Sequence, residues 1–152
     1  MAKGLLAGCV AARGALVLAA LVLATACAQM PAQQASAAGK SRVVIQVSDN
    51  DPARWNLALN NARNLQSALG PSNVEIEIVA YGPGIGMLQA GSAVGTRIDE
   101  ATLGGMHVSA CENTMHGHKL THADMLPGIG YVGSGVVEIT RRQQEGWAYL
   151  RP

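Results

Sequence analysis

MHVSACENTMHGHKLTH, residues 106–122, joins two kinds of segment across a single cysteine. Met106 to Ala110 has strand character, whereas the stretch from Glu112 is polar and compatible with a helix. Cys111 stands at the junction, and three of the chain's four histidines, His116, His118 and His122, come after it. Working outward from this strand-to-helix step, the same alternation recurs on both sides.

Upstream, Val43 to Val47 is a compact apolar run suited to a strand covered on both faces. Asp49-Asn50-Asp51-Pro52 turns the chain, with Asp51 placed to cap a helix that begins at Pro52. Trp55, Ala58, Leu59, Ala62, Leu65 and Leu69 recur at three- and four-residue steps and form one apolar stripe, which Gly70-Pro71 ends. Val74 to Tyr81 reads as a second strand, with Glu75 and Glu77 alternating against Val74, Ile76 and Ile78, so that one end of it is expected to be half exposed. A glycine-rich turn, Gly82-Pro83-Gly84-Ile85-Gly86, follows, and Met87 to Leu103 is expected to be a weak helix interrupted by Gly91 and Gly95.

Downstream, Tyr131 to Gly133 makes a short strand, and Ser134 is placed to cap a helix from about Gly135 to Glu145. Arg141 and Arg142 on that helix are expected on a solvated face. Trp147 to Arg151 completes the series as a terminal strand. The order β-α-β-α-β-α-β-α-β predicts a single three-layer α/β domain over residues 42–152, with a mainly parallel five-stranded sheet and helices on both faces.

The amino-terminal part differs in kind. Lys3 and Arg13 precede an apolar run, Gly14 to Ala26, that is too short to span a membrane comfortably and ends in small residues. Residues 1–26 are therefore expected to be an export signal, which predicts an exported, periplasmic protein. Leu23-Ala24-Thr25-Ala26-Cys27 resembles a lipobox, in which Cys27 would be lipidated and would tether the protein to the membrane, while Ala-x-Ala sites nearby suit ordinary cleavage. Both alternatives stay open. Residues 27–41, rich in Ala, Gln and Ser, read as a flexible tether.

Composition narrows the function classes. Only 14% of residues are charged and 49% are hydrophobic, a globular composition without Phe. Setting aside Lys3 and Arg13 leaves nine basic residues against ten acidic, which provides no basic footprint for nucleic acid. The Gly82 turn meets neither dinucleotide nor P-loop spacing. Cys9 and Cys27 lie outside the domain, so Cys111 has no internal disulfide partner.

In open parallel sheets ligands bind beyond the carboxyl ends of the strands. There the predicted order places Asn50 with its flanking aspartates, Gly82, Cys111 and Ser134. A helix beginning after Cys111 would favour the thiolate through its free N–H groups and dipole. A reactive thiol is thereby preferred over a cysteine kept only for packing.

Cys111-Glu112-Asn113-Thr114-Met115 after a short strand, the Gly82-Pro83-Gly84 turn, Ser134-Gly135-Val136-Val137-Glu138-Ile139 and the closing Gln143-Gln144-Glu145-Gly146-Trp147-Ala148-Tyr149 resemble the DsrE/DsrF-like family. The resemblance spans residues 42–152. It implies assembly into trimers or hexamers and a cysteine, here Cys111, that accepts sulfane sulfur as a persulfide from a donor and passes it to an acceptor. Asn113 and Thr114 are implied to shape the loop that holds the sulfur, and Gly82 and Gly84 match its turn. The implied partners are sulfur donor and acceptor proteins or small sulfur species, and no cofactor is implied.

Two readings from other classes stand beside it. If residues 112–122 were one helix, Cys111, Met115, His118 and His122 would fall near one face and would suit Cu(I), and less well Zn. Alternatively the domain is an oligomeric binding module without chemistry, in which Cys111 and Met115 are core fillers. A Cys-His hydrolase would need a histidine such as His116 to reach back to Cys111. His107, inside the third strand, is expected to be an ordinary sheet residue.

Overall fold

The computed structural model describes residues 39–152. The export signal expected over residues 1–26, both alternatives for Cys27 and the tether up to residue 38 lie outside the described residues. The domain starts with β1 (Ser41–Val47) and α1 (Pro52–Leu69), followed by β2 (Val74–Ala80) and α2 (Gly95–Leu103). Next come β3 (His107–Cys111), α3 (Glu112–Gly117), β4 (Gly130–Val132), α4 (Gly135–Gln144) and β5 (Ala148–Leu150).

All five strands are parallel, in the order β4-β3-β2-β1-β5. The first four strands step across the sheet in one direction, and the connection from β4 returns to the far side of β1. Right-handed crossovers then require opposite faces for the outward and returning helices. The two cores show this division. Val43, Ile45, Val47, Ile76, Ile78 and Val108 pack toward α1 and α2, while Val44 and Val79 pack against Ile139 of α4 and Trp147. Side chains such as Ile45 and Ile78 are fully buried, each worth about 1.5–3 kcal/mol.

The cap at the start of α1 forms as its sequence predicts: Ala53 N–H donates to Asp51 Oδ1 at 2.8 Å. The stripe buries Trp55, Ala58, Leu59 and Ala62, but Leu69 at the last turn remains exposed.

Four expectations are corrected. The helix expected over Met87–Leu103 is split: Gly82–Leu88 is a 3-10 helix, and α2 begins only at Gly95. There the backbone is held by the segment at 124–126 rather than by helical bonds of its own, with Ala90 N–H on Asp124 O and Leu126 N–H on Leu88 O, each at 2.8 Å. The segment after Cys111 is not one helix to His122, because α3 stops at Gly117 and Lys119 takes a left-handed φ of 58°. The half-exposed end expected of the second strand is confined to Glu75; Glu77, two residues on, is 2% exposed, under α4. Arg142 is not on a solvated face, since it turns inward to pair with Glu77.

Candidate functional site

Parallel order places the carboxyl ends of all strands at one edge of the sheet, and Cys111 ends β3 there. Cys111 is both the last residue of β3 and the residue preceding α3, so the chain turns from strand to helix at the thiol itself. The side chain is 4% exposed. Side chains alternate along a strand, so Ser109 and Cys111 share a face with neighbouring Glu77, Val79 and Tyr81 of the β2 segment, beneath α4.

Three chain segments meet at the sulfur. Gly135, the first residue of α4, donates its N–H to Cys111 Sγ at 3.2 Å in a buried contact. The Thr114 hydroxyl and the N–H groups of Thr114 and Asn113 face the sulfur from the first turn of α3. Gly82 N–H donates to Thr114 Oγ1 at 2.9 Å, so the hydroxyl accepts from β2's turn and keeps its own proton to direct at the sulfur. Asn113 N–H donates to Gly133 O at 3.1 Å, tying α3 to the end of β4.

These donors decide the charge state. Burial pushes the Cys111 thiol up, while the Thr114 hydroxyl and the N–H groups of Gly135, Thr114 and Asn113 pull it down. Together the donors win, leaving the thiol below its ordinary range. The arrangement is suited to a thiolate, or to a second sulfur atom bearing negative charge, in a pocket of oriented dipoles.

The residues singled out in the sequence separate into groups. Thr114 and the backbone of Asn113 face the Cys111 sulfur, and Gly82 joins them only through its N–H bond to Thr114 Oγ1. Ser134 brackets the site, but its side chain makes no capping bond to α4; the donor is the next residue, Gly135. Gly84 acts one step removed: its N–H bonds to Ser48 O and Tyr81 O, and a Cβ there would lie 2.4 Å from Val47 O. Asn50 lies against Gly86, its Oδ1 2.9 Å from where a Cβ would sit, and is not among the groups facing the sulfur.

The helical face on which copper or zinc binding depended does not form. Met115 is buried in the α1 and α2 core, and His118 ends α3 exposed. His122 stacks on Tyr131 with ring centroids 3.8 Å apart, its Nε2 3.6 Å from Glu112 Oε1. Among the described residues, no group of three or more His, Cys, Asp or Glu side chains is placed to hold a metal ion.

Below the thiol, on the same face, lies a cluster that the sequence did not announce. Glu77 accepts from Ser109 Oγ at 2.8 Å and from Arg142 Nε at 2.6 Å. The Arg142 guanidinium also lies 4.4 Å from the Trp147 ring centroid and pairs with Glu138. A charge at 77 in a strand packed on both faces requires a partner. The available signal was an arginine two turns before the final strand.

A wholly parallel five-stranded sheet with helices on both faces gives the protein a DsrE-like fold. Solved structures share that fold. MTH1491 from Methanobacterium thermoautotrophicum, a protein of unknown function, is 40% identical and matches over 74% of this chain and 100% of its own, with TM-score 0.71. The present chain belongs to the same family as MTH1491. BT1422 from Bacteroides thetaiotaomicron, a conserved protein of unknown function, shares the fold at 17% identity, covering 74% of this chain and 95% of its own, with TM-score 0.61. The ychN protein of E. coli shares it at 15% identity over 75% of this chain and 99% of its own, with TM-score 0.59. No protein-family model and no curated protein matches the chain.

Proposed function

We propose that Cys111 carries sulfane sulfur as a persulfide, received from a small polysulfide or a protein persulfide and delivered to an acceptor thiol. The observation that carries this reading is the contact between Gly135 N–H and Cys111 Sγ, within a set of donors that favours the thiolate.

The chemistry needs no cofactor. The Cys111 thiolate attacks the outer sulfur of a donor R–S–SH, a new S–S bond forms on Cys111, and the donor's S–S bond breaks. Its electron pair leaves on R–S⁻, which takes up a proton from water. In the second half an acceptor thiolate attacks the outer sulfur and Cys111 departs as a thiolate, so no net oxidation occurs. The same donors that favour the thiolate favour the terminal sulfur anion and the departing thiolate. The amino-terminal signal supports an exported location, and the resemblance to DsrE/DsrF proteins supports a trimer or hexamer.

Intact mass before and after exposure to polysulfide tests this, beside Cys111→Ser. The reading expects a gain of whole sulfur atoms that is absent in the variant and is transferred to an added thiol. An unchanged mass in the wild-type protein overturns it.

A further inference from the structure

Gly135 and Tyr81 are in closer contact than any side chain at position 135 would allow. A Cβ built on Gly135 would stand 2.9 Å from Tyr81 Cβ and 3.2 Å from both Cγ and Cδ1. Tyr81 has little freedom to give way. Its N–H donates to Val47 O and its carbonyl accepts from Gly84 N–H, each at 3.1 Å, which fixes the backbone on both sides. Its ring packs against the core of Val44, Val79, Ile139 and Trp147, and Ile139 lies one turn along α4 from Gly135. The ring thus fills the space under the first turn of α4, the turn that supplies an N–H to the sulfur.

We propose that Tyr81 is a positioning residue for Cys111: its ring seats the first turn of α4 so that Gly135 N–H is held on the sulfur, and this seat admits only glycine at 135. The proposal rests on Cys111 being the reacting thiol, but not on sulfur being its cargo. The hydroxyl has no part in the seat, which is made by the ring and Cβ. Around Tyr81 the titratable and charged groups are Tyr149 and Arg151 from the end of β5, Asp49 after β1, and Cys111 itself.

The test is the pH profile of iodoacetamide alkylation in the full chain carrying Cys9→Ser and Cys27→Ser, so that Cys111 is the sole thiol. Gly135→Ala should move the midpoint upward and slow alkylation below it by about tenfold, the effect of losing one hydrogen bond to a charged group. Tyr81→Phe should leave the profile in place, and Tyr81→Ala should raise the midpoint. The decisive comparison is coupling: in the Tyr81→Gly background, which removes the Cβ at 2.9 Å as well as the ring, Gly135→Ala should add little further shift. Near-UV circular dichroism checks that each variant folds; where Tyr81→Gly does not, Tyr81→Ala, which removes the ring contacts alone, should relieve the Gly135→Ala shift in part. An unshifted midpoint in Tyr81→Ala, or an equal Gly135→Ala effect with and without the residue-81 contacts, overturns the proposal. A chain that shows the coupling yet gains no sulfur from polysulfide sinks the persulfide reading alone and leaves this one standing.

Discussion

Gly135 on α4 gives its backbone N–H to Cys111 at the end of β3, across 3.2 Å of space and 24 positions of sequence. The thiol is held below its ordinary value of 9.0 because the Thr114 and backbone donors outweigh the burial that pushes it up. A group whose folded value is depressed contributes stability above its unfolded value and loses it as pH falls through the folded one. The stability advantage of wild type over Cys111→Ser should therefore grow as pH rises from the folded midpoint toward 9.0, and flatten above it. Urea unfolding at a series of pH values measures this; a flat difference would refute it.

Thr114 serves two partners, so its loss should register twice. Thr114→Val removes the acceptor of Gly82 N–H, costing about 1 kcal/mol of stability. It also removes a donor facing the sulfur, so the alkylation midpoint should rise, whereas Thr114→Ser should retain most of both effects. Chemical denaturation and alkylation of the same samples check the two separately.

Arg142 is the countercharge of a buried carboxylate. Arg142→Met leaves Glu77, 2% exposed, without its ion-pair partner, at a cost of roughly 3–5 kcal/mol. Combining it with Glu77→Met should restore much of that stability, since the stranded charge is removed as well. A loss in the double variant equal to the sum of the Arg142→Met and Glu77→Met losses would show that the pair is not coupled.

At Gly84 the neighbour is unyielding backbone. A methyl group there would meet Val47 O at 2.4 Å and Val47 C at 2.7 Å. Gly84→Ala should lose about 1–3 kcal/mol through overpacking, visible as a lower thermal midpoint. Gly117→Ala, where nothing lies within 4 Å of the added carbon, is the matched control and should not be destabilised in this way.

The histidines after Cys111 are surface groups in this fold. His118→Ala and His122→Ala should each change stability by about 0.5 kcal/mol or less and leave sulfur uptake on Cys111 intact. Mass spectrometry after polysulfide treatment checks the second point. Loss of uptake in either variant would show that the histidine segment takes part in the chemistry.

Local pattern was enough to read the sheet. The apolar runs at Val43–Val47 and Val74–Ala80, the Asp51 cap and the alternation of strand with helix carry the parallel α/β fold in their spacing. Cys111 was legible because a lone thiol at a strand end is visible without tertiary knowledge. Gly135 was not, because its role is a backbone N–H brought from another helix. The burial of Glu77 was missed since alternation reports which side a residue faces, not whether a helix lies over that side. The histidine helix failed where Lys119 enters a left-handed conformation, which no periodicity reveals. In the sulfur's surroundings, residues near in sequence were predictable, and those delivered by the return of the chain were not.

That return gives the thiol a history. The groups that make Cys111 acidic come from α3 beside it and from Gly135, which reaches the sulfur only after the chain has passed through β4 and begun α4. A chain whose α4 has yet to dock therefore lacks one of the donors, and completion of the fold is the last step in making the sulfur acidic. A fragment ending before α4 would keep the thiol and the α3 donors but lose the share that Gly135 supplies.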